Sequence, residues 1–441
     1  MNRSSSTAIL LAVILPLVCE AGTKPEAPVT IKPEDTLTFS LEARLRGEWR
    51  ENNFDFNNSA DALTDDAWLL SRLRLGVDWK PVSWFHIHVE GQDSREFFSD
   101  RPNVIGQLGA EGDDAFDLQQ GFVEIGDPKR LSVSIGRQEL NYGDGRLISR
   151  APWKNLSQSF DAVKLHIARE KWWLDVFTSS VVRFREGEFN LSDWLDDSDA
   201  RNQFFSGLYF STTALDVQVT DFYAFELHEE DNGGSDFVTL GTRMKADAAK
   251  LAGWDYETEM AVQFGDRYCK DLSAFAGHWG IGYNWLHSSW KPRFGIEYSY
   301  ATGDSNTADD RAGTFQNLFP TNHPFYGLMD VFAWQNMHNP ALKFSIEPSS
   351  KVKLSLDYHL FWLADTNDGW YRANQTTLVR PITPGASSYE GSELDFTVVW
   401  KALKQLDVQT GYSHFFAGSY LDDTGAADDA DFAYVMVTFK L

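Results

Sequence analysis

A chain of 441 residues with 39 lysines and arginines against 64 aspartates and glutamates carries a net charge of −25, which sets aside non-specific binding to nucleic acid. Aromatic residues make up 14% of it, 16 Trp and 32 Phe among them, a share that is high for an acidic soluble protein and natural for a membrane barrel with aromatic girdles. After the N-terminus no run of 18 apolar residues occurs, which excludes transmembrane helices but not transmembrane strands.

Met1 to Ala21 reads as a secretory signal: Arg3, an apolar core from Ala8 to Val18, then small residues near Ala21. Cys19 raises the alternative of lipid attachment, although Pro16-Leu17-Val18 makes a poor attachment box. Cleavage after Ala21 or Gly22 leaves Cys269 as the one cysteine, so the mature chain has no intrachain disulfide. Residues 22–35 form a periplasmic lead-in, and residues 36–441 form the body of the protein.

Thr36 to Arg50 sets the pattern for that body. Leu37, Phe39, Leu41, Ala43, Leu45 and Trp49 fall on one face of an extended chain; Thr38, Ser40, Glu42, Arg44, Arg46, Glu48 and Arg50 fall on the other. Soluble strands run about 5–6 residues. Transmembrane barrel strands need roughly 9–11, apolar toward lipid and polar toward a wet lumen.

The unit recurs along the chain. Leu69 to Lys80 puts Leu73, Leu75, Val77 and Trp79 opposite Arg72, Arg74, Asp78 and Lys80. Trp84 to Arg95 puts Phe85, Ile87 and Val89 opposite His86, His88 and Glu90. Asp114 to Ile125 has no clear parity, because Phe122 and Val123 are adjacent apolar residues. Alternation resumes at about 131–135, 163–167, 172–176, 203–212, 215–228, 236–246, 254–265, 275–283, 294–300, 341–347, 351–364, 391–401, 406–417 and 432–441. That makes eighteen strands, an even number as bacterial single-chain barrels require.

The links between strands test the count independently. After even-numbered strands they are short, as at Lys80–Ser83, Gly126–Lys129 and Ala402–Gln405; after most odd-numbered strands they are long and polar, as at 51–67, 96–114, 141–158, 184–202, 303–340, 365–390 and 418–430. Short periplasmic turns alternating with long extracellular loops belong to an outer-membrane barrel. Val435, Val437, Phe439 and Leu441 end the chain on one face, like the closing strand that barrel-assembly machinery reads, with Leu441 in place of the usual terminal aromatic. The expected fold is therefore an all-β transmembrane antiparallel barrel in the outer membrane of a Gram-negative-type bacterium.

Two stretches say more than barrel grammar: Gly136 to Asp161, GRQELNYGDGRLISRAPWKNLSQSFD, and Ala301 to Asn336, which contains GTFQNLFPTNHPFYGLMD from Gly313 to Asp330. With GYSHFFAG from Gly411 to Gly418, they resemble the alginate-export porin family over about 36–441. The resemblance implies an eighteen-stranded outer-membrane barrel with a narrow, arginine-lined pore through which an anionic uronate polysaccharide leaves the cell.

A polyanion crossing a pore needs cations spaced along the wall, and arginine offers a permanently charged planar fork that matches a carboxylate. Arg44, Arg46, Arg72 and Arg74 have inward parity on neighbouring strands, and Arg137, Arg146 and Arg150 lie in or just beyond the fifth. Arg243 and Arg293 are placed to face them across the lumen, and Glu257, Glu259 and Glu297 make the far wall acidic. Two readings of these arginines stay open: pore selectivity, or pairing with Glu42, Glu48, Asp78 and Glu90 that merely stiffens the wall. The net charge does not decide between them, since many carboxylates sit in loops (Asp193 and Asp196, Asp422 and Asp423, Asp428 and Asp429) and the lumen potential is set locally.

No cofactor is required. Asp304, Asn306, Asp309 and Asp310 in the extracellular loop 303–311 resemble an oxygen-rich Ca²⁺ loop, with a solvated acidic loop as the alternative. His86 and His88 share a strand face, but the sequence fixes no third ligand for zinc. Inward Phe361 and Trp173 are candidate sugar platforms, and the outward tryptophans are interfacial anchors. No G-x-S-x-G elbow or Ser–His arrangement occurs, so an enzyme is not expected.

The expected function is a monomeric channel that conducts an alginate-like polyuronate by passive, arginine-selective diffusion, in the export direction. The alternatives are an uptake porin for acidic oligosaccharides or small anions, and a structural or adhesive barrel. Expected partners are the anionic polysaccharide or oligosaccharide, outer-membrane lipid, the barrel-assembly machinery and periplasmic secretion partners, with no nucleic acid.

Overall fold

The computed structural model describes residues 36–52, 54–59, 65–101, 109–196, 202–230 and 233–441. The expected signal peptide and the lead-in to residue 35 lie outside the described residues. Eighteen strands run in chain order: β1 Leu37–Glu51, β2 Asp66–Val82, β3 Phe85–Phe97, β4 Asp114–Asp127, β5 Leu131–Gln138, β6 Phe160–Arg169, β7 Trp172–Val181, β8 Phe204–Thr212 and β9 Gln218–Glu229. There follow β10 Ser235–Ala246, β11 Trp254–Arg267, β12 Lys270–Asn284, β13 Arg293–Ala301, β14 Met337–Ser349, β15 Val352–Leu363, β16 Tyr389–Lys401, β17 Leu406–Ala417 and β18 Ala430–Lys440. Each pairs antiparallel with its sequence neighbours, and β1 closes onto β18 from Glu42 opposite Lys440 to Glu51 opposite Asp431. A two-residue segment, Arg311–Ala312, lies parallel beside Asp271 and Leu272 of β12. One short helix among the described residues, α1 (Ser419–Thr424), follows the outer end of β17. Among the described residues no helix is long and apolar enough to cross a membrane. Closure satisfies every strand edge within the sheet, which is what makes a β-structure tolerable in lipid.

The outward face is the alternating apolar set. Leu75, Val89, Ile135, Leu240, Val262, Ile281 and Ile296 are all exposed on it. Trp79, Trp84, Trp254, Trp285, Trp290 and Trp400 are exposed too, all at the short-turn ends of their strands or in those turns, and they make a tryptophan girdle at the periplasmic rim. The inward face is polar where it meets the middle of the wall. Arg44, Arg46, Arg72 and Arg74 are each at most 6% exposed.

The unclear parity of β4 has a local cause. Glu90 pairs with Gln120 but Gly91 pairs with Leu118, so Gln119 is an extra residue in a bulge. The bulge moves the outward positions from the parity of Phe116 to that of Ile125, both exposed, and turns Phe122 inward against His86 and His88. Strands β6 and β7 run further toward the outside than their alternation predicts, because the inner faces of Phe160, Ala162, Phe177 and Val181 are covered by protein rather than water.

That covering is the main departure from a wet lumen. Loops 139–159, 302–336 and 364–388 fold into the barrel and build an apolar core there. Phe315, Tyr326, Phe332, Trp334 and Trp370 from the loops pack with Phe361 and Phe415 of the wall, all at most 2% exposed.

Candidate functional site

The four arginines of β1 and β2 hold the second half of loop 139–159 against the wall. Arg44 stands opposite Arg72 in the strand register, and Glu42 opposite Arg74. Arg44 donates to the Pro152 carbonyl at 2.7 Å, the Lys154 carbonyl at 3.0 Å and Asn155 Oδ1 at 3.2 Å. Arg72 divides its donors between Glu42 at 2.6 Å and the Lys154 carbonyl at 3.0 Å. Arg74 reaches Gln92 at 2.7 Å and Glu139 at 3.3 Å, and donates to Ser157. Asn155, fully buried, locks the register: its Nδ2 donates to the Ser71 carbonyl at 2.9 Å and its own carbonyl accepts from Ser94 Oγ at 3.1 Å. Arg46 donates to Glu48 at 2.6 Å, to Glu111 and to the Trp153 carbonyl, and its guanidinium lies 3.8 Å over the Trp153 ring. Trp153 in turn stacks on His323 at 3.6 Å and 8°.

The first half of the same loop crosses to the opposite wall. Asp144 accepts from Arg243 at 2.8 Å and from Lys245 at 2.6 Å. Arg146 sits 3.7 Å from Glu257, 3.9 Å from Glu259 and 3.9 Å over the Phe325 ring. Loop 302–336 joins it through backbone bonds, Ser149 to Phe319 at 2.7 Å and Thr321 to Gly145 at 2.9 Å. Loop 364–388 joins in turn: Trp370 Nε1 donates to Val331 at 2.9 Å and Ala373 to Asp330 at 3.1 Å. Three loops thus form one hydrogen-bonded plug strapped to two walls.

Glycine is required at one docking point. Gly327 has φ of +85°, and a Cβ there would stand 2.3 Å from Glu393 Oε2, while Glu393 Oε1 accepts the Met329 amide at 3.0 Å. Gly327→Ala is expected to cost about 1–3 kcal/mol, the usual size of such backbone strain. Faster proteolysis within 302–336 in the folded protein is the readout.

The remaining predicted residues fall into wall pairs. Arg137 forks onto Asp161 at 3.0 and 3.1 Å, and Arg293 onto Asp255 at 2.8 and 2.7 Å. Arg243 also takes Asp221 at 2.8 Å, and Glu259 accepts from Tyr223 at 3.0 Å. Arg150 is half exposed beside Glu139 at 3.5 Å, and Glu297 is half-buried on the inner wall of β13. In loop 303–311 the oxygens of Asp304, Asn306 and Asp309 accept the backbone amides of Asn306, Ala308 and Arg311, at 3.0, 3.3 and 2.8 Å, so they close turns rather than converge on a point. Among the described residues, Asp304, Asp309 and Asp310 do not form a group of three converging metal-binding atoms. Phe361 is covered by Phe332 stacked at 3.6 Å, and Trp173 lies among Tyr142 and Tyr209, so neither ring presents an open platform.

Beside the strapped loop lies a cavity of about 300 Å³, lined among others by Arg50, Trp153, Lys154, His323, Asp330 and Arg372. Its loop cations carry no parity signal in the sequence, and only Arg50 was readable as inward. Among the described residues neither Arg44 nor Arg372 has a carboxylate within 4 Å; Arg372 lies 4.1 Å over the Phe54 ring instead. Burial, and then the nearby Arg50, lower Arg372 to about 10, which leaves it cationic at neutral pH. Burial works to raise Asp330, but His323, Arg50 and Arg46 outweigh it and hold that carboxyl below its ordinary range.

A closed antiparallel barrel with a lipid-facing apolar belt, a girdled rim and loops folded into a charged lumen is the architecture of an outer-membrane channel protein. Solved structures of low sequence identity share the fold. OccK5 (OpdH) of Pseudomonas aeruginosa matches with a TM-score of 0.62 at 11% identity, over 92% of this chain and 98% of that one. OccAB2 of Acinetobacter baumannii matches with 0.59 at 10% over 92% and 98%, and the outer membrane protein OprD of P. aeruginosa with 0.58 at 10% over 92% and 94%. No curated protein sequence matches. The alginate export family matches residues 35–435, nearly the whole chain, and the protein belongs to that family.

Proposed function

We propose that the barrel passively conducts an anionic, alginate-like uronate polysaccharide outward across the outer membrane, with arginines as its selectivity groups. The observation that supports this most is the division among the inward arginines. Arg46, Arg137, Arg243 and Arg293 are neutralised by wall carboxylates, whereas Arg44 is held by carbonyl and amide oxygens alone and Arg372 by a ring face. A guanidinium positioned by neutral oxygens keeps its full charge for a passing carboxylate, while carbonyl bonds can be exchanged without separating an ion pair. Arg72 and Arg74 contribute through the donors they turn toward the loop.

Reversal potential in a KCl gradient tests this. The wild-type channel is expected to prefer chloride, and Arg44→Ala with Arg372→Ala to shift the preference clearly toward potassium. Arg72→Ala or Arg74→Ala shifts it in the same direction, since each also leaves a carboxylate without that cation. A wild-type preference for potassium, or a double variant with unaltered selectivity, would sink the reading.

Uptake of acidic oligosaccharides or small anions is a second reading, favoured by the size of the cavity and by the loops that fill the lumen. Proteoliposomes separate the two: release of trapped polyuronate supports polymer conduction, and release of only short oligouronates supports the alternative. A barrel without any conductance would instead be structural.

A further inference from the structure

We propose that Asp78, His86 and His88 form a zinc-class metal site on the inner wall near the periplasmic mouth. Sequence alone offers only the two histidines at i and i+2 on one strand face. The register supplies the third donor: Asp78 of β2 stands directly opposite His88 of β3, on the same face, with His86 one step nearer the short β2–β3 turn. Residues so placed across an antiparallel pair have their Cβ atoms about 4.5–5.5 Å apart, close enough for short side chains to share one atom.

They do share one. His86 Nε2 lies 2.6 Å and His88 Nδ1 3.1 Å from the same oxygen, Asp78 Oδ1, and all three donor atoms lie within 4.8 Å of one another. The edge of a zinc tetrahedron with bonds of about 2.0–2.1 Å is about 3.3 Å, so small rotations of Asp78 and the rings bring the three donors onto it.

The surroundings are built as metal sites are. The far nitrogen of His86, Nδ1, faces Glu124 Oε2 at 3.5 Å, and the other oxygen of Glu124 accepts from Ser132 Oγ at 2.8 Å. A carboxylate behind a ligating imidazole fixes its tautomer and raises its basicity. His88 Nε2 is buried with no partner among the described residues, so nothing ties that ring to a competing bond. Phe122, turned inward by the β4 bulge, packs on both rings at 5.8 and 5.3 Å and gives them an apolar backstop.

Two imidazoles with one carboxylate select borderline ions such as Zn²⁺, with Cu²⁺ and Ni²⁺ as competitors, over Ca²⁺ or Mg²⁺. The side chains of Asp78, His86 and His88 keep 27%, 17% and 13% exposure, so an ion can enter from the lumen. Three protein ligands leave the fourth position to water or to a carboxylate in the lumen, as in open zinc sites.

The test uses the full mature chain without a polyhistidine tag, folded in detergent and stripped by a chelator, titrated with Zn²⁺ alone by calorimetry. One ion per chain is expected in the wild type. His86→Ala with His88→Ala is expected to abolish binding, Asp78→Asn to weaken it at least about tenfold, and Glu124→Gln by about tenfold, the lower end of the usual cost of losing a partner behind a ligand. Co²⁺ in place of Zn²⁺ should give the visible absorption of a tetrahedral centre in the wild type and not in the double variant. Heat-modifiable gel mobility verifies that each variant is folded. No stoichiometric uptake by the wild type, which would leave only a hydrogen-bonded cluster, or equal uptake by the folded double variant, overturns the proposal.

Discussion

Replacing residues 304–334 by a short Gly-Ser tether is expected to raise single-channel conductance several-fold while the barrel still assembles. Assembly survives because the loop carries no more of the sheet than the two-residue bridge of Arg311–Ala312 to the outer end of β12, while β13 and β14 pair with each other directly, from Arg293 opposite Ser345 to Ala301 opposite Met337. Conductance rises because Phe315, Tyr326, Phe332 and Trp334 are large buried side chains inside the lumen, and their removal also cuts the backbone bonds from Phe319 and Thr321 to loop 139–159. Stability falls at the same time. Phe361, stacked on Phe332 at 3.6 Å, would lose that cover, and fully burying such a ring is worth about 1.5–3 kcal/mol. Trp334→Ala alone should cost about 3–5 kcal/mol, the range for a large buried aromatic. Planar-bilayer recording, with heat-modifiable mobility as the check on folding, decides the matter. A tethered variant with wild-type conductance would mean that ions bypass the plug altogether.

The wall was legible in the sequence and the plug was not, for one physical reason. A strand between lipid and protein writes its two environments into alternate residues, so Leu75 against Arg74, or Val262 against Gln263, reveals both faces without a structure. Loop residues obey no such period. Trp153, Lys154 and Arg372 line the cavity from irregular backbone, and Phe332 covers Phe361 from a segment whose apolar residues show no alternation. Family-like stretches marked where those loops lie, 136–161 and 301–336, without saying that they fold inward and pair at Ile148 and Phe319. For the arginines, parity says only which side of the wall a residue faces. Whether Arg44 meets a carboxylate or a carbonyl depends on Pro152 and Lys154, more than a hundred positions away. The bulge at Gln119 shows the opposite failure: one extra residue reverses the code, and adjacent Phe122 and Val123 become unreadable until the pairing is known.

Glu48→Leu should lower stability by about 3–5 kcal/mol, the cost of stripping one partner from a buried ion pair, and raise chloride preference in the same protein. Glu48 is 2% exposed and bridges two arginines, accepting from Arg46 Nε at 2.6 Å and from Arg50 Nη2 at 3.2 Å. Without it Arg46, wholly buried, retains Glu111 and the Trp153 ring, and Arg50 retains the Met329 carbonyl at 2.8 Å. Removing Glu48 takes one negative charge from beside the cavity that Arg50 lines while both arginines stay, so the local balance there becomes more positive. Replacing both partners, Arg46→Met with Glu48→Leu, should recover most of the lost stability, because an apolar pair pays no desolvation of charge. Its chloride preference should fall back toward the wild-type value. Urea unfolding in lipid vesicles and reversal potentials measured on the same three proteins separate the two effects. If Glu48→Leu is as stable as the wild type, water screens the network and the arginines of β1 are held by loop 139–159 rather than by their carboxylates. If it is unstable but its selectivity is unaltered, the β1 arginines lie off the ion path, and Arg372 with Lys154 would have to carry the selectivity from the loops.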